Sequence, residues 1–386
     1  MEYNFDQLID RRCHSSIKWM VKEGELPMWV ADMDFAAAPP IRETLARRVA
    51  HGVFGYTAVP KEWYEAYGSW WQQRHGLKLE EEWLMFVTGV VPAISSTVRK
   101  LTTANEKVII QTPVYNIFFN SILNNGCQIS ENPLLYEAGE YRMDFADLEQ
   151  KMADPQASLM ILCNPHNPVG KIWDKETLAR VGELAERYHV TVISDEIHCD
   201  ITEPGKGYVP FAAASEACRR VGVICLTPTK AFNLAGLQTA AIAVPDPFLR
   251  HKVMRAINTD EVSEPNAFAC EAAVSAFTES GAWLDEMREY VWENRRLAEE
   301  MLRRELPECR PVKADATYLM WLDISAVGES TAVADLLRKN TGLFVTAGST
   351  YGVPGKYFLR INLACPRSLV QDGFSRLIRG LKEIHG

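Results

Sequence analysis

Lys230 stands in the run Thr227-Pro228-Thr229-Lys230-Ala231-Phe232, among apolar and hydroxyl residues. An amine in such surroundings loses hydration on folding, its pKa falls, and the neutral nucleophile becomes accessible. The other reading is an ordinary lysine whose stem lies along apolar surface. Asp195 ends the apolar run before Glu196-Ile197-His198. A carboxylate there is costly unless a cation or hydrogen-bond donors meet it, or unless it caps a helix. Arg360 interrupts the apolar run YFLRINL. Its guanidinium calls for a carboxylate, from a ligand or from an internal ion pair. Asn167 lies in Asn164-Pro165-His166-Asn167-Pro168-Val169-Gly170. Two Asn-Pro steps and a glycine fix an unusual backbone path, which aims the amide at a ligand or simply makes a turn. Tyr115 follows TPV and either stacks on a flat ligand or fills core. In Gly89-Val90-Val91-Pro92-Ala93 a glycine precedes a helical pattern. Free amides and the positive helix end there suit a phosphate, although a plain strand-to-helix turn reads the same way.

The elements that position these residues are legible around them. Apolar runs at 83–89, 107–113, 158–165, 190–196, 222–228 and 239–245 read as strands. Amphipathic stretches such as KETLARVGELAERYH separate several of them. Strands alternating with helices predict βαβ units and a largely parallel sheet buried on both faces. Ligands of such sheets bind beyond the carboxyl ends of the strands, where the residues above fall. After about residue 280 the texture changes to a charged amphipathic helix, ENRRLAEEMLRREL, and strands of another layer, ATYLMWLDI and YFLRINLA. AAAPP at 36–40 reads as a short break, and LEEEW at 79–83 as a solvated helix end. The expected division is an N-terminal segment, 1–44, packing with the small domain. A large cofactor domain follows over 45–280, and a C-terminal small domain over 281–386.

Taken together, a phosphate cradle, a stacking Tyr, an Asn, a buried Asp, an apolar-flanked Lys and a carboxylate-seeking Arg match one ligand. It is pyridoxal 5′-phosphate held by Lys230 as an imine, with an amino acid as substrate.

The whole chain resembles fold-type I pyridoxal-phosphate enzymes of the aminotransferase class I/II superfamily. The phrases LPMWVADMDF, FGYT, TGVVPAIS, CNPHNPVGKIW, SDEIHCD, TPTKAFNLAGLQTA and FLRINLACPR are similar to those of the MalY/PatB-type cystathionine β-lyases. The resemblance implies a large domain with a mostly parallel sheet flanked by helices, and a smaller α+β domain. It implies a carbon–sulfur lyase that eliminates a thiol from cystathionine and related cysteine S-conjugates, leaving pyruvate and ammonia. Its rivals are an aminotransferase and a fold-retaining binding or regulatory protein. By the same resemblance Lys230, Asp195 and Tyr115 are catalytic. Lys230 holds the cofactor and moves the Cα proton. Asp195 pairs with the ring nitrogen, a pairing worth on the order of 4 kcal/mol at about 4 Å. Asn167 and His198 join them around the ring. Val90, Val91, Thr227 and Thr229 hold the phosphate, together with Tyr56 of a neighbouring subunit in a homodimer. Arg360, Asn167, Val30 and Ala31 meet the substrate, with Asp32 beside the entrance. Where many aminotransferases have Tyr and Arg, this chain has His198 and Gln238, so phosphate binding must lean on hydroxyls and amides.

The chain has 386 residues, net charge −9, 47% hydrophobic and 24% charged residues, the profile of a globular protein. Its acidity disfavours nucleic acid as a partner. No apolar run approaches the roughly 20 residues of a membrane helix. The acidic start MEYNFDQLIDRR lacks a signal core, so a cytoplasmic protein is expected. The nine cysteines are scattered in mostly apolar surroundings and read as reduced core thiols. The eight histidines show no ligand spacing, so no metal is expected.

Overall fold

The computed structural model describes residues 2–385. Its main sheet has seven strands: β1 (Leu84–Val87), β2 (Lys107–Ile110), β3 (Gln128–Glu131), β4 (Ala157–Cys163), β5 (Thr191–Asp195), β6 (Gly222–Leu226) and β7 (Ala240–Ala243). Their spatial order is β1-β7-β6-β5-β4-β2-β3. The ladders from β3 across to β6 are parallel. β7 alone runs antiparallel, between β6 and β1. The expected largely parallel, doubly covered sheet is present. Along β4, Met160 and Leu162 enter one core while Leu159, Ile161 and Cys163 enter another. Alternate side chains of a strand face opposite sides, so both faces are dry. β3, outside the expected strands, is an edge strand with only Ser130 of its four residues buried, and its short polar pattern hides it.

The first helix, α1, is Pro39–His51 with proline at its first turn. AAAPP is therefore a helix entry and not a break, and the expected boundary at 44/45 falls inside this helix. LEEEW is likewise corrected: Glu81–Trp83 is a single 3₁₀ turn leading into β1. Helix α2 (Val90–Leu101) starts directly after Gly89. Helix α3 (Lys175–Arg187) is capped by Asp174, whose Oδ1 accepts from Thr177 N at 2.7 Å. Helix α4 (Gly281–Glu305) threads two cores. Trp283, Leu284 and Met287 belong to the large core, and Ala298 and Leu302 to a second one.

That second core sits under a four-stranded antiparallel sheet. Its strands are β8 (Arg310–Pro311), β9 (Leu319–Asp323), β10 (Thr346–Ala347) and β11 (Phe358–Asn362), in the order β8-β9-β11-β10. The N-terminal segment contacts both parts. Leu26 pairs with Leu343 in a two-stranded parallel ribbon, whereas Phe5 packs edge-on against Trp283. Residues near the amino end are thus brought over the carboxyl edge of the main sheet.

Candidate active site

Each loop at that edge follows its strand by a residue or two, so strand register fixes the side chains. β5 ends in Asp195, 3% exposed, whose carboxylate has one donor among the described residues, Ile197 N at 3.2 Å. Burial pushes its pKa up to about 7, opposed by that amide and by Lys230. The neighbouring Glu196 is equally buried but fully met by Tyr208 Oη, Phe211 N and Ser194 Oγ. Period-two alternation thus separates adjacent acids into a structural carboxylate and one lacking a cation.

Beyond β6, the half-buried Lys230 donates from Nζ to the Ala31 carbonyl at 2.7 Å. Burial, reinforced by the positive Arg360, brings its pKa down to about 8, while Asp32 and Asp195 pull it upward. Its loop is tied to the N-terminal segment by Asn233, which donates to Met33 O and Phe35 O and accepts from Met33 N. Thr227 is buried, and its hydroxyl donates to Thr239 O at 2.7 Å while accepting from Thr229 N. The Thr227 and Thr229 hydroxyls lie 3.0 Å apart, so the two expected phosphate ligands stand side by side. Gln238 is exposed and left-handed, φ 52°.

Arg360 lies on β11, 6% exposed. It donates from Nη2 to Trp29 O at 2.9 Å and from Nη1 to Asn167 Oδ1 at 3.3 Å, and its Nε has no partner among the described residues. No protein carboxylate pairs with it among the described residues, so an incoming carboxylate has a vacant donor face. Asn167 is buried at the end of the β4 loop, in which Asn164–Pro165 and Asn167–Pro168 are both cis. Tyr115 is partly buried. Burial raises its pKa, with Arg360 and Asp195 close enough to act on it. His198 is 2% exposed and its Nδ1 is unpartnered among the described residues. Burial first, then Lys230 and Arg360, hold it well below its usual pKa, so it stays neutral. Val90 is buried and Val91 half-exposed at the first turn of α2, whose amides have no intrahelical acceptor.

The N-terminal segment closes the site through carbonyls. Asn362 Nδ2 donates to Val30 O and Asp32 O, both at 2.6 Å. Tyr318 Oη donates to Ala31 O at 2.9 Å. Behind them Lys18, 1% exposed, and Arg11 bind Asp34 and Asp32. Tyr318, Asn362 and Asn233 are additions to the expected set. Asn362 was readable two residues after Arg360, on the same strand face, whereas Tyr318 offers no signal beyond an aromatic in an apolar run. Tyr56 is fully exposed and does not join these residues within one chain. His75, Cys199 and Asp200 also gather their donor atoms within 4.8 Å, but Asp200 there accepts from Trp70 Nε1 and pairs with His75.

Pyridoxal 5′-phosphate fits this arrangement. A buried carboxylate without a cation suits a protonated ring nitrogen. A lysine of lowered pKa suits imine formation, and the helix amino end after Gly89 suits a phosphate. A model of the family described as aminotransferase class I and II matches residues 31–377. The chain is 42% identical to cystathionine β-lyase PatB of Bacillus subtilis, over 97% of this chain and 98% of that one. It is similar to cystalysin of Treponema denticola, a structure containing pyridoxal 5′-phosphate, at 31% identity, TM-score 0.96, covering 99% and 100% of the two chains. It is also similar to the cofactor-bound C–S lyase of Staphylococcus hominis, at 31% identity, TM-score 0.92, covering 99% of each.

Proposed function

The chain belongs to the aminotransferase class I and II family, and from that premise we propose that it is a pyridoxal 5′-phosphate-dependent C–S β-lyase. Its substrates are L-cystathionine and related cysteine S-conjugates. The observation that carries this reading is whole-chain similarity to a cystathionine β-lyase, joined to the gathering of Lys230, Asp195, Asn167 and Arg360 at one sheet edge.

The residues divide the work. Arg360 binds the substrate α-carboxylate, replacing part of its bond to Asn167 Oδ1. Val30, Ala31 and Asp32 wall the entrance through the segment held by Asn362. Lys230, with its lowered pKa, leaves the Ala31 carbonyl and takes the Cα proton as general base. Asp195 holds the positive charge of the ring nitrogen, and Tyr115 and His198 fix the ring. The amides of Val90 and Val91 and the hydroxyls of Thr227 and Thr229 hold the phosphate. When bound, the cofactor supplies the electron sink for charge developing at Cα. The Cα–H and Cβ–S bonds break, the thiolate leaves with a proton, and the released three-carbon enamine adds water to give pyruvate and ammonia.

The working unit in this reading is a homodimer in which Tyr56 reaches the partner's phosphate. Exposed Val49, Val53 and Phe54 beside Tyr56 support it, because such apolar groupings mark interaction surfaces. A cytoplasmic location is supported by nine unpaired cysteines, eight of them buried. The test is a substrate panel of cystathionine, cysteine and S-methylcysteine with pyruvate, ammonia and thiol scored together. Stoichiometric pyruvate and thiol are expected. Keto acid without thiol would make the protein an aminotransferase instead.

A further inference from the structure

Arg360 sits in a row of three residues set by strand register. Trp321 on β9 and Thr346 on β10 stand directly opposite it, one on either side, so the three side chains share one face of the small sheet. Tyr351 packs onto that face. It ends the 3₁₀ turn Gly348–Tyr351 and is 1% exposed. Its ring centroid lies 4.9 Å from Arg360 Cζ, within cation–π range. The Trp321 ring meets it edge-on, with centroids 5.6 Å apart and planes at 88°. Trp321 is held in turn by its Nε1, which donates to Tyr141 Oη at 3.1 Å. Burial raises the Tyr351 pKa against the pull of Arg360, so a neutral phenol faces the guanidinium. The main chain of Tyr351 reaches the other side of the site. Val114 N, one residue before Tyr115, donates to Tyr351 O at 2.9 Å. Gly352 has φ 108°, and a Cβ there would sit 3.0 Å from Thr112 Cγ2, so the turn lies close against the loop that carries Tyr115.

We propose that Tyr351 is a positioning residue for carboxylate recognition, its ring fixing the plane in which Arg360 meets the substrate. The proposal rests on the reading of Arg360 as the α-carboxylate clamp. A guanidinium takes a carboxylate through two parallel bonds only when both groups lie in one plane. Arg360 donates to Trp29 O at 2.9 Å and to Asn167 Oδ1 at 3.3 Å. The longer bond is the one an incoming carboxylate partly replaces, which leaves Trp29 O as a single pivot. The Tyr351 ring removes the rotation about that pivot. An aromatic face does so without occupying an N–H donor. A protein carboxylate in its place would compete with the substrate, whereas a neutral ring does not.

The experiment compares L-alanine with ethylamine, the same amine without its carboxylate. Both react through nitrogen with the bound cofactor aldehyde, and titration of cofactor absorbance in the full-length loaded protein gives a Kd for each. The ratio of the ethylamine Kd to the alanine Kd measures carboxylate recognition alone and does not depend on turnover. Arg360→Gln should lower this ratio by about tenfold or more. Tyr351→Leu should lower it by about fivefold or more, and Tyr351→Phe, which keeps the ring, should leave it within about twofold. Ethylamine binding should hold steady in both Tyr351 variants, because the bond from Val114 N to the main chain survives them. Tyr351→Met, which keeps more of the volume, replaces the leucine variant if that one does not fold. A ratio lowered in Arg360→Gln but unmoved in Tyr351→Leu and Tyr351→Met overturns the proposal and leaves the clamp reading standing, as does equal weakening of both ligands. A ratio that Tyr351→Phe lowers as far as Tyr351→Leu overturns the role of the ring. A ratio unmoved by Arg360→Gln overturns the clamp reading and the proposal with it.

Discussion

Lys230 and Tyr318 donate to one acceptor, the Ala31 carbonyl, at 2.7 and 2.9 Å. The lysine must leave that oxygen to work as a base, and Tyr318 then keeps the buried carbonyl satisfied. In Tyr318→Phe the departure of Lys230 strands the carbonyl, at a cost of about 1–3 kcal/mol. The expected outcome is a kcat at least tenfold lower, with cofactor content unchanged by absorbance. Unchanged kcat with a raised KM would show that the hydroxyl serves substrate binding instead.

Asp195 makes a signed prediction for the apoprotein. Its carboxyl holds a proton more tightly folded, with a pKa of about 7, than unfolded, at about 3.9. Folding therefore takes up protons between these values, and stability falls as pH rises from about 4 to about 7. The full effect is on the order of 4 kcal/mol. Glu196, also raised to about 7 by burial, adds the same slope to any variant. The difference between Asp195→Asn and the unaltered apoprotein isolates Asp195. Thermal melts at pH 5 and pH 8 should show the variant gaining on the parent at the higher pH. Its holoenzyme should lose about a thousandfold in activity. A constant gap across pH would mean that the carboxyl is not buried uncompensated.

Much of this was readable because strand ends announce themselves. Apolar runs ending in Asp195, Asn164 and Thr227 placed the sheet and most of its working edge, since a buried strand tolerates polar groups chiefly where it ends. Two things were not readable. β3 is too short and polar to stand out from a loop. Tyr318 reaches Ala31 across 287 positions of chain, a contact that only tertiary packing creates.

Arg360 should act on two observables at once. Arg360→Gln removes the substrate carboxylate's partner, and charge-assisted bonds of about 1.5–3 kcal/mol correspond to a rise in KM of about ten- to a hundredfold. It also removes a positive charge that helps hold Lys230 at about 8. Only the neutral amine attacks the cofactor aldehyde, so the rate of cofactor uptake by apoprotein should climb with pH through a midpoint near that value. In the variant this midpoint should move upward. A raised KM with an unmoved midpoint would place the two groups too far apart to couple.

The shared-site reading of Tyr56 makes the sharpest demand on assembly. Tyr56 is fully exposed in its own chain, and in the shared-site reading Tyr56→Ala should weaken cofactor binding by acting on the partner's phosphate. Lys230→Ala should abolish activity outright. When the two inactive or weakened proteins are mixed under conditions that exchange subunits, each mixed dimer contains one chain with intact Lys230. The neighbour of that chain supplies an intact Tyr56, so one native site is restored per mixed dimer. Activity at limiting cofactor should then rise well above that of either parent alone, and sedimentation should show a two-chain species throughout. If mixing gives only the average of the parents while subunits demonstrably exchange, Tyr56 serves its own chain and the site is complete in a single subunit.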